Sequence, residues 1–165
     1  MNKLLIVLIL VLVIVGVYFG YTMTKTSNET QAPEDQEPET QIVEVYFGHN
    51  DKGGQDCSAV FSVEREIEKT EGVGKAALNE LLKGPTAQEK GDGYLTSIED
   101  GVELNSLNIE GGVATADFSE ELNQGGGSCM MEGRRAQIKE TLKQFPTVDE
   151  VVISVEGETE GNLQP

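Results

Sequence analysis

The sequence has no tryptophan, one histidine (His49), two cysteines, and 12 lysines and arginines against 29 acidic side chains in 165 residues. Each shortage narrows the possible functions. A single histidine rules out a multi-histidine metal site, and any His-based triad would depend on one loop residue. The cysteines, Cys57 and Cys129, form no CxxC, so dithiol redox cycling is not expected. The net charge of −17 leaves nothing to compensate phosphate, so nucleic acid is not an expected partner, and anionic lipid headgroups are repelled as well. The excess is spread along the chain. Residues 42–165 hold 24 acidic and 10 basic side chains, a charge of −14 that suits solubility near a crowded cell surface better than one dedicated cationic partner.

One long apolar run is present. Residues 4–21 read LLIVLILVLVIVGVYFGY without a charge. Eighteen residues at about 1.5 Å each span roughly 27 Å, close to the hydrocarbon thickness of a thin bilayer. A soluble helix of this length would show a polar face, and this one shows none. No A-x-A pattern follows it and no cysteine stands near its exit, so an uncleaved signal anchor is expected rather than a cleaved leader or a lipoprotein. Lys3 precedes the run, whereas Lys25 and then Glu29, Glu34, Asp35, Glu37 and Glu39 follow it. This asymmetry puts residues 1–3 in the cytoplasm and the rest outside, in a single-pass cell-membrane protein. Outside the cytoplasm, two cysteines suggest a Cys57–Cys129 bridge; two unrelated thiols are the alternative. Residues 22–41 are polar and acidic, with two prolines, and read as a disordered spacer. Asn28-Glu29-Thr30 within it is a glycosylation pattern too common to carry weight.

The folded region is expected over 42–157, with 158–165 as a tail. Val43, Val45 and Phe47 alternate with Glu44 and Tyr46, a strand pattern. After the polar turn 48–56 a second strand puts Phe61, Val63, Arg65 and Ile67 on one face, and the two form a hairpin. Ala77, Leu78, Leu81 and Leu82 make a helical stripe stopped by Gly84-Pro85, and Thr86 with Glu89 suits a capping box. Val102 and Leu104 are out of register with Leu107 and Ile109, which predicts a bulge near Asn105-Ser106. Gly111-Gly112 turns this strand into Val113–Phe118. Ser128 is the expected N-cap of a second main helix carrying Met131, Ile138, Leu142 and Phe145, which Pro146 ends. Val148–Val155 is nearly continuously apolar and reads as a central strand. The order ββα, turn, ββα, β gives an α+β fold: one mixed or antiparallel sheet with two main helices packed on it.

Chemistry-bearing residues are few. Cys129 at a helix start is a nucleophile only if His49 is near. Gly125-Gly126-Gly127-Ser128 lacks the Lys-Ser/Thr ending of a P-loop and reads as a turn. Asp51, Gln55 and Asp56 do not match a calcium-loop spacing. Asp117, Glu120 and Glu121 are neighbours expected by chance in so acidic a chain. No catalytic residue, metal ligand or cofactor is assigned.

Four segments carry a resemblance: Leu81-Leu82-Lys83-Gly84-Pro85-Thr86, Asp117-Phe118-Ser119, Gly125-Gly126-Gly127-Ser128, and Gln144-Phe145-Pro146-Thr147-Val148-Asp149-Glu150-Val151. In this order they resemble the GerMN domain of spore germination and sporulation proteins, over about residues 42–156. The resemblance implies an extracytoplasmic α+β module whose motif residues Gly84, Pro85, Asp117, Gly125, Gly126, Gly127, Ser128 and Pro146 are structural. It also implies a role in binding or assembly in the envelope, with no established catalytic residues. This chain departs from the family in lacking a lipid-accepting cysteine and in carrying one copy of the domain. The expected partners are other envelope proteins or a cell-wall polymer, with the membrane engaged through residues 4–21; a homo-oligomer is left open. The competing expectations are an envelope hydrolase, if carboxylates converge in a pocket, and a ligand-binding sensor.

Overall fold

The structure, a computed structural model, describes residues 13–21 and 38–159. Residues 1–3, expected to be cytoplasmic, the first half of the expected anchor, nearly all of the expected spacer with Asn28, and most of the expected tail lie outside the described residues. Two units are separate: residues 1–37 and 38–165. In the first, residues 13–21 are helical and expose Val13, Ile14, Val17, Tyr18 and Phe19. Among the described residues no helix is long and apolar enough to cross a membrane.

The second unit opens with β1 (Thr40–His49), which pairs antiparallel with β2 (Phe61–Glu68) in the expected hairpin. Val43, Val45 and Phe47 are buried, and Ile67 joins them from β2. Helix α1 (Val73–Leu82) buries Ala77, Leu78 and Leu81. It ends where Gly84 adopts φ +71° and donates its N–H to the Leu81 carbonyl, a conformation that favours glycine. Helix α2 (Ala87–Gly91) has the capping box in full: the Glu89 N–H donates to Thr86 Oγ1, and the Thr86 N–H to the Glu89 carboxylate. A two-residue strand β3 (Tyr94–Leu95), invisible in the sequence pattern, pairs with the end of β1.

Strand β4 (Leu104–Glu110) pairs antiparallel with β5 (Val113–Phe118), with the register shifting between Leu104 and Ser106, where the bulge was expected. Gly111 and Gly112 both have positive φ, +58° and +86°, as the tight turn requires. A 3-10 turn (Glu120–Asn123) leads to α3 (Ser128–Lys143), and β6 (Glu150–Val155) then pairs parallel with β5.

Three expectations are corrected. The strands form two three-stranded sheets, ordered β2-β1-β3 and β4-β5-β6, not one. The physical reason lies at the end of α3: the side chains of Thr141 and of the C-cap residue Gln144, not another strand, bond the edge of β1 at Tyr46 and Glu44. The last strand is at the edge of its sheet with β5 in the middle; its apolar run reflects burial of Val151, Ser154 and Val155 on both faces. Ser128 does not cap α3. The N-cap is Gly127, without a side-chain bond, and Ser128 is the first helical residue. The main core joins both sheets and both long helices through Phe47, Leu78, Ala116, Phe118, Ile138 and Leu142.

Candidate functional site

Cys57, in the loop before β2, and Cys129, in the first turn of α3, are disulfide-bonded across 72 residues, with Cα atoms 5.1 Å apart. His49 and both cysteines line the same small cavity of about 210 Å³, together with Lys52, Met130 and Gln137. The nucleophile reading of Cys129 thus finds its histidine close by, but the sulfur is already committed to a bond. His49 is committed too. Its Nδ1 accepts the Asp51 N–H at 3.1 Å, and its ring sits edge-on to Tyr94 and Phe61, with centroids at 5.0 and 6.0 Å. The Lys52 ammonium lies over the same two rings, 5.2 Å from Tyr94 and 5.5 Å from Phe61.

The carboxylates are also occupied. Asp117 accepts the Ser154 hydroxyl at 2.6 Å, the Gly157 N–H at 2.8 Å and Asn105 Nδ2 at 3.1 Å. Burial pushes its pKa up, but these bonds outweigh it and hold the group below its ordinary value. Asp56 is lowered by its bonds from the Ser58 hydroxyl and N–H, and Glu121 by its bond with Ser119. Glu89 is lowered chiefly by the bidentate Arg65 guanidinium at 2.6 and 2.7 Å. Among the described residues these four carboxyl groups are therefore all shifted down, whereas a general acid working near neutral pH needs an upward shift. Asp117 faces β6, and Glu121 lines a separate shallow depression of about 380 Å³ with Glu99 and Asp100, so the structure does not gather the Asp117, Glu120 and Glu121 neighbours into one site. Among the described residues no group of three or more His, Cys, Asp or Glu is placed to hold a metal ion.

The glycine loop before α3 also serves structure. Gly125 and Gly126 adopt φ +65° and +82°. A Cβ on Gly125 would stand 3.3 Å from a Glu99 carboxylate oxygen, so an acidic group faces this loop where a phosphate cradle would need open donors.

Sequence reasoning missed the polar residues on the buried face of α3. Arg134 is fully buried. Its Nε donates to the Ser97 carbonyl at 2.6 Å and its Nη1 to the Leu122 and Gln124 carbonyls at 2.7 and 2.8 Å, while its Nη2 reaches Glu99 at 3.1 Å. Gln137, also buried, accepts the Ser97 N–H at 3.0 Å. One side chain therefore ties the 97–99 loop and the 122–124 turn to the helix. The available signal was spacing: Arg134 stands three residues after Met131 and four before Ile138, inside the apolar stripe.

A family model described as "Germane: Sporulation and spore germination" matches residues 44–161. Among solved structures, the tandem GerMN domains of the sporulation protein GerM from Bacillus subtilis superpose with a TM-score of 0.57 at 27% identity, over 79% of this chain and 44% of that chain. This chain thus spans less than half the length of that tandem protein. The first GerMN domain of the same protein gives a TM-score of 0.56 at 24% identity, over 76% of this chain and 92% of that chain. No curated protein matches.

Proposed function

We propose, for a chain that belongs to the Germane family of sporulation and spore germination domains, that the domain over residues 38–159 acts by contact, as a non-catalytic binding or assembly module of the cell envelope. Residues 4–21 hold it to the cell membrane with the domain on the extracytoplasmic side, and its partners are other envelope proteins or a cell-wall polymer. The observation that carries this reading is the Cys57–Cys129 bond. Such a bridge persists in oxidising compartments and is rare in the cytosol. It also takes up the two thiols that were the chain's best nucleophiles. His49 and Asp117 are tied into packing and hydrogen bonds, which favours a contact role over an envelope hydrolase.

Crosslinking of the full-length protein in native membranes, followed by mass spectrometry, tests the reading. Reproducible crosslinks to envelope proteins or wall fragments support it, and crosslinks between copies of this chain alone assign the contact to homo-oligomerisation. Recovery of no partner, or a domain accessible only from the cytoplasmic side to an impermeant thiol or amine label, counts against it.

A further inference from the structure

A groove of about 580 Å³ involves none of the residues discussed above except Tyr46 and Ser58. One wall is Tyr46 of β1 with Ser58, Ala59 and Val60 leading into β2. The other is a stripe of α3: Glu132, Arg135, Ala136, Lys139 and Glu140, spaced as successive turns of one helix face. Arg135 and Lys139 are half-buried there. Among the described residues neither side chain makes an ion pair, although Glu132 stands three residues before Arg135. Four other cations of this acidic domain are paired, Arg65 with Glu89, Lys69 with Glu39, Lys83 with Glu80 and Arg134 with Glu99. Lys52, Lys75, Lys90 and Lys143 lie outside the groove, so among the described residues only Arg135 and Lys139 set two free cations one turn apart on a groove wall.

We propose that this groove binds a carboxylate-bearing saccharide segment. Arg135 and Lys139 would take the carboxylate through charge-assisted hydrogen bonds. The Tyr46 ring, with Val60 and Ala136, offers an apolar floor for the C–H face of a sugar ring. Glu132 and Glu140, both exposed, bracket the groove and accept from hydroxyl groups. The same two carboxylates repel a dense polyanion such as polyphosphate, so a polymer with its acids spaced out among hydroxyls fits best. The inference rests on the envelope reading only in expecting such a polymer within reach.

The test is calorimetric titration of the full-length protein in detergent micelles at low salt with hexagalacturonate, and with cellohexaose, hexaglutamate and polyphosphate as comparators. Hexagalacturonate should bind, and cellohexaose and polyphosphate should not. The Arg135→Gln/Lys139→Gln variant should lose affinity by roughly tenfold or more, whereas Lys75→Gln/Lys90→Gln, an equal charge change outside the groove, should keep it. If the groove variant melts early, Ala136→Glu gives a second way to close the groove. Absence of hexagalacturonate binding, or equal binding by the groove variant, overturns the proposal. Equally tight binding of hexaglutamate or polyphosphate overturns it in favour of an acidic peptide or of charge alone. If the wild type crosslinks to envelope proteins in membranes yet binds no hexagalacturonate, the contact reading stands and this one falls.

Discussion

The side-chain amide of Gln144 pairs with the backbone of Glu44 in both directions, accepting the Glu44 N–H at 2.8 Å and donating to the Glu44 carbonyl at 2.6 Å. Two residues along β1, Thr141 Oγ1 accepts the Tyr46 N–H at 3.2 Å. The end of α3 therefore does for β1 what a neighbouring strand would do, and β1 keeps its backbone satisfied without joining the second sheet.

Gln144→Ala leaves both Glu44 backbone groups without this partner. The site is only part-buried, so the expected loss is about 1–2 kcal/mol of unfolding free energy, read by urea denaturation. Gln144→Glu keeps an acceptor but has no donor for the Glu44 carbonyl, and it should be no better than alanine. A loss below about 0.5 kcal/mol for both would sink the idea that Gln144 stands in for a strand.

Arg134 makes a sharper case. Removing it orphans carbonyls of Ser97, Leu122 and Gln124 around a fully buried position. Arg134→Met should cost about 3 kcal/mol or more. Arg134→Lys keeps the charge but is a single point donor that cannot span the same set of acceptors, so it should also destabilise. Hydrogen exchange should quicken first at residues 97–99 and 122–124. Wild-type exchange in Arg134→Lys would show that charge alone is needed there.

These two residues also show where the sequence was readable. Strands, turns and helix ends followed from period-2 and period-3.6 patterns and from glycine and proline placement, as at Gly84, Thr86 with Glu89, and Gly111-Gly112. The division into two sheets was not readable, because it depends on the side chain of Gln144, the C-cap residue of α3, reaching the backbone of β1 about 100 residues away. β3 escaped because two residues carry no periodicity. Gly127 in place of Ser128 as N-cap is a one-residue difference that only backbone geometry decides. Of the candidate residues, the cysteine pair was legible from its number and setting. The bonds that occupy His49 and Asp117 were not, since their partners Tyr94, Ser154 and Gly157 come from distant segments.

The disulfide closes a loop of 72 residues, for which the chain-entropy treatment gives about 4 kcal/mol. The Cys57→Ala/Cys129→Ala variant should lose a large part of that, with its fold retained at low temperature. Non-reducing mass spectrometry of protein from native membranes should find the Cys57–Cys129 peptide pair. Free thiols at both positions would remove the principal support for an extracytoplasmic domain.

Gly133 lets α3 approach the loop beneath it. A Cβ there would stand 2.5 Å from Ser97 Oγ and 3.4 Å from the Cys57 carbonyl oxygen. Gly133→Ala should destabilise by about 1–3 kcal/mol through overpacking. Adding Ser97→Gly should recover much of the loss. A double variant no more stable than Gly133→Ala alone would place the strain elsewhere.

Acid should loosen this domain through two named carboxylates. Glu89, beside Arg65, and Asp117, bonded by Ser154, Gly157 and Asn105, both have folded pKa values below their ordinary 4.5 and 3.8. A group lowered on folding binds fewer protons folded than unfolded, so its contribution is complete above the ordinary value and is lost as pH falls through the folded one. Thermal stability should therefore hold down to roughly pH 5 and drop below it. Asp117→Asn cannot titrate, so its acid limb should be shallower than that of the wild type although its stability at pH 7 is lower. Arg65→Gln removes the chief cause of the lowered Glu89 pKa, so its acid limb should also be shallower, with lower stability at pH 7. Melting curves between pH 7 and pH 2.5 decide the point. Parallel acid limbs in wild type and Asp117→Asn would show that Asp117 is not one of the groups through which acid acts.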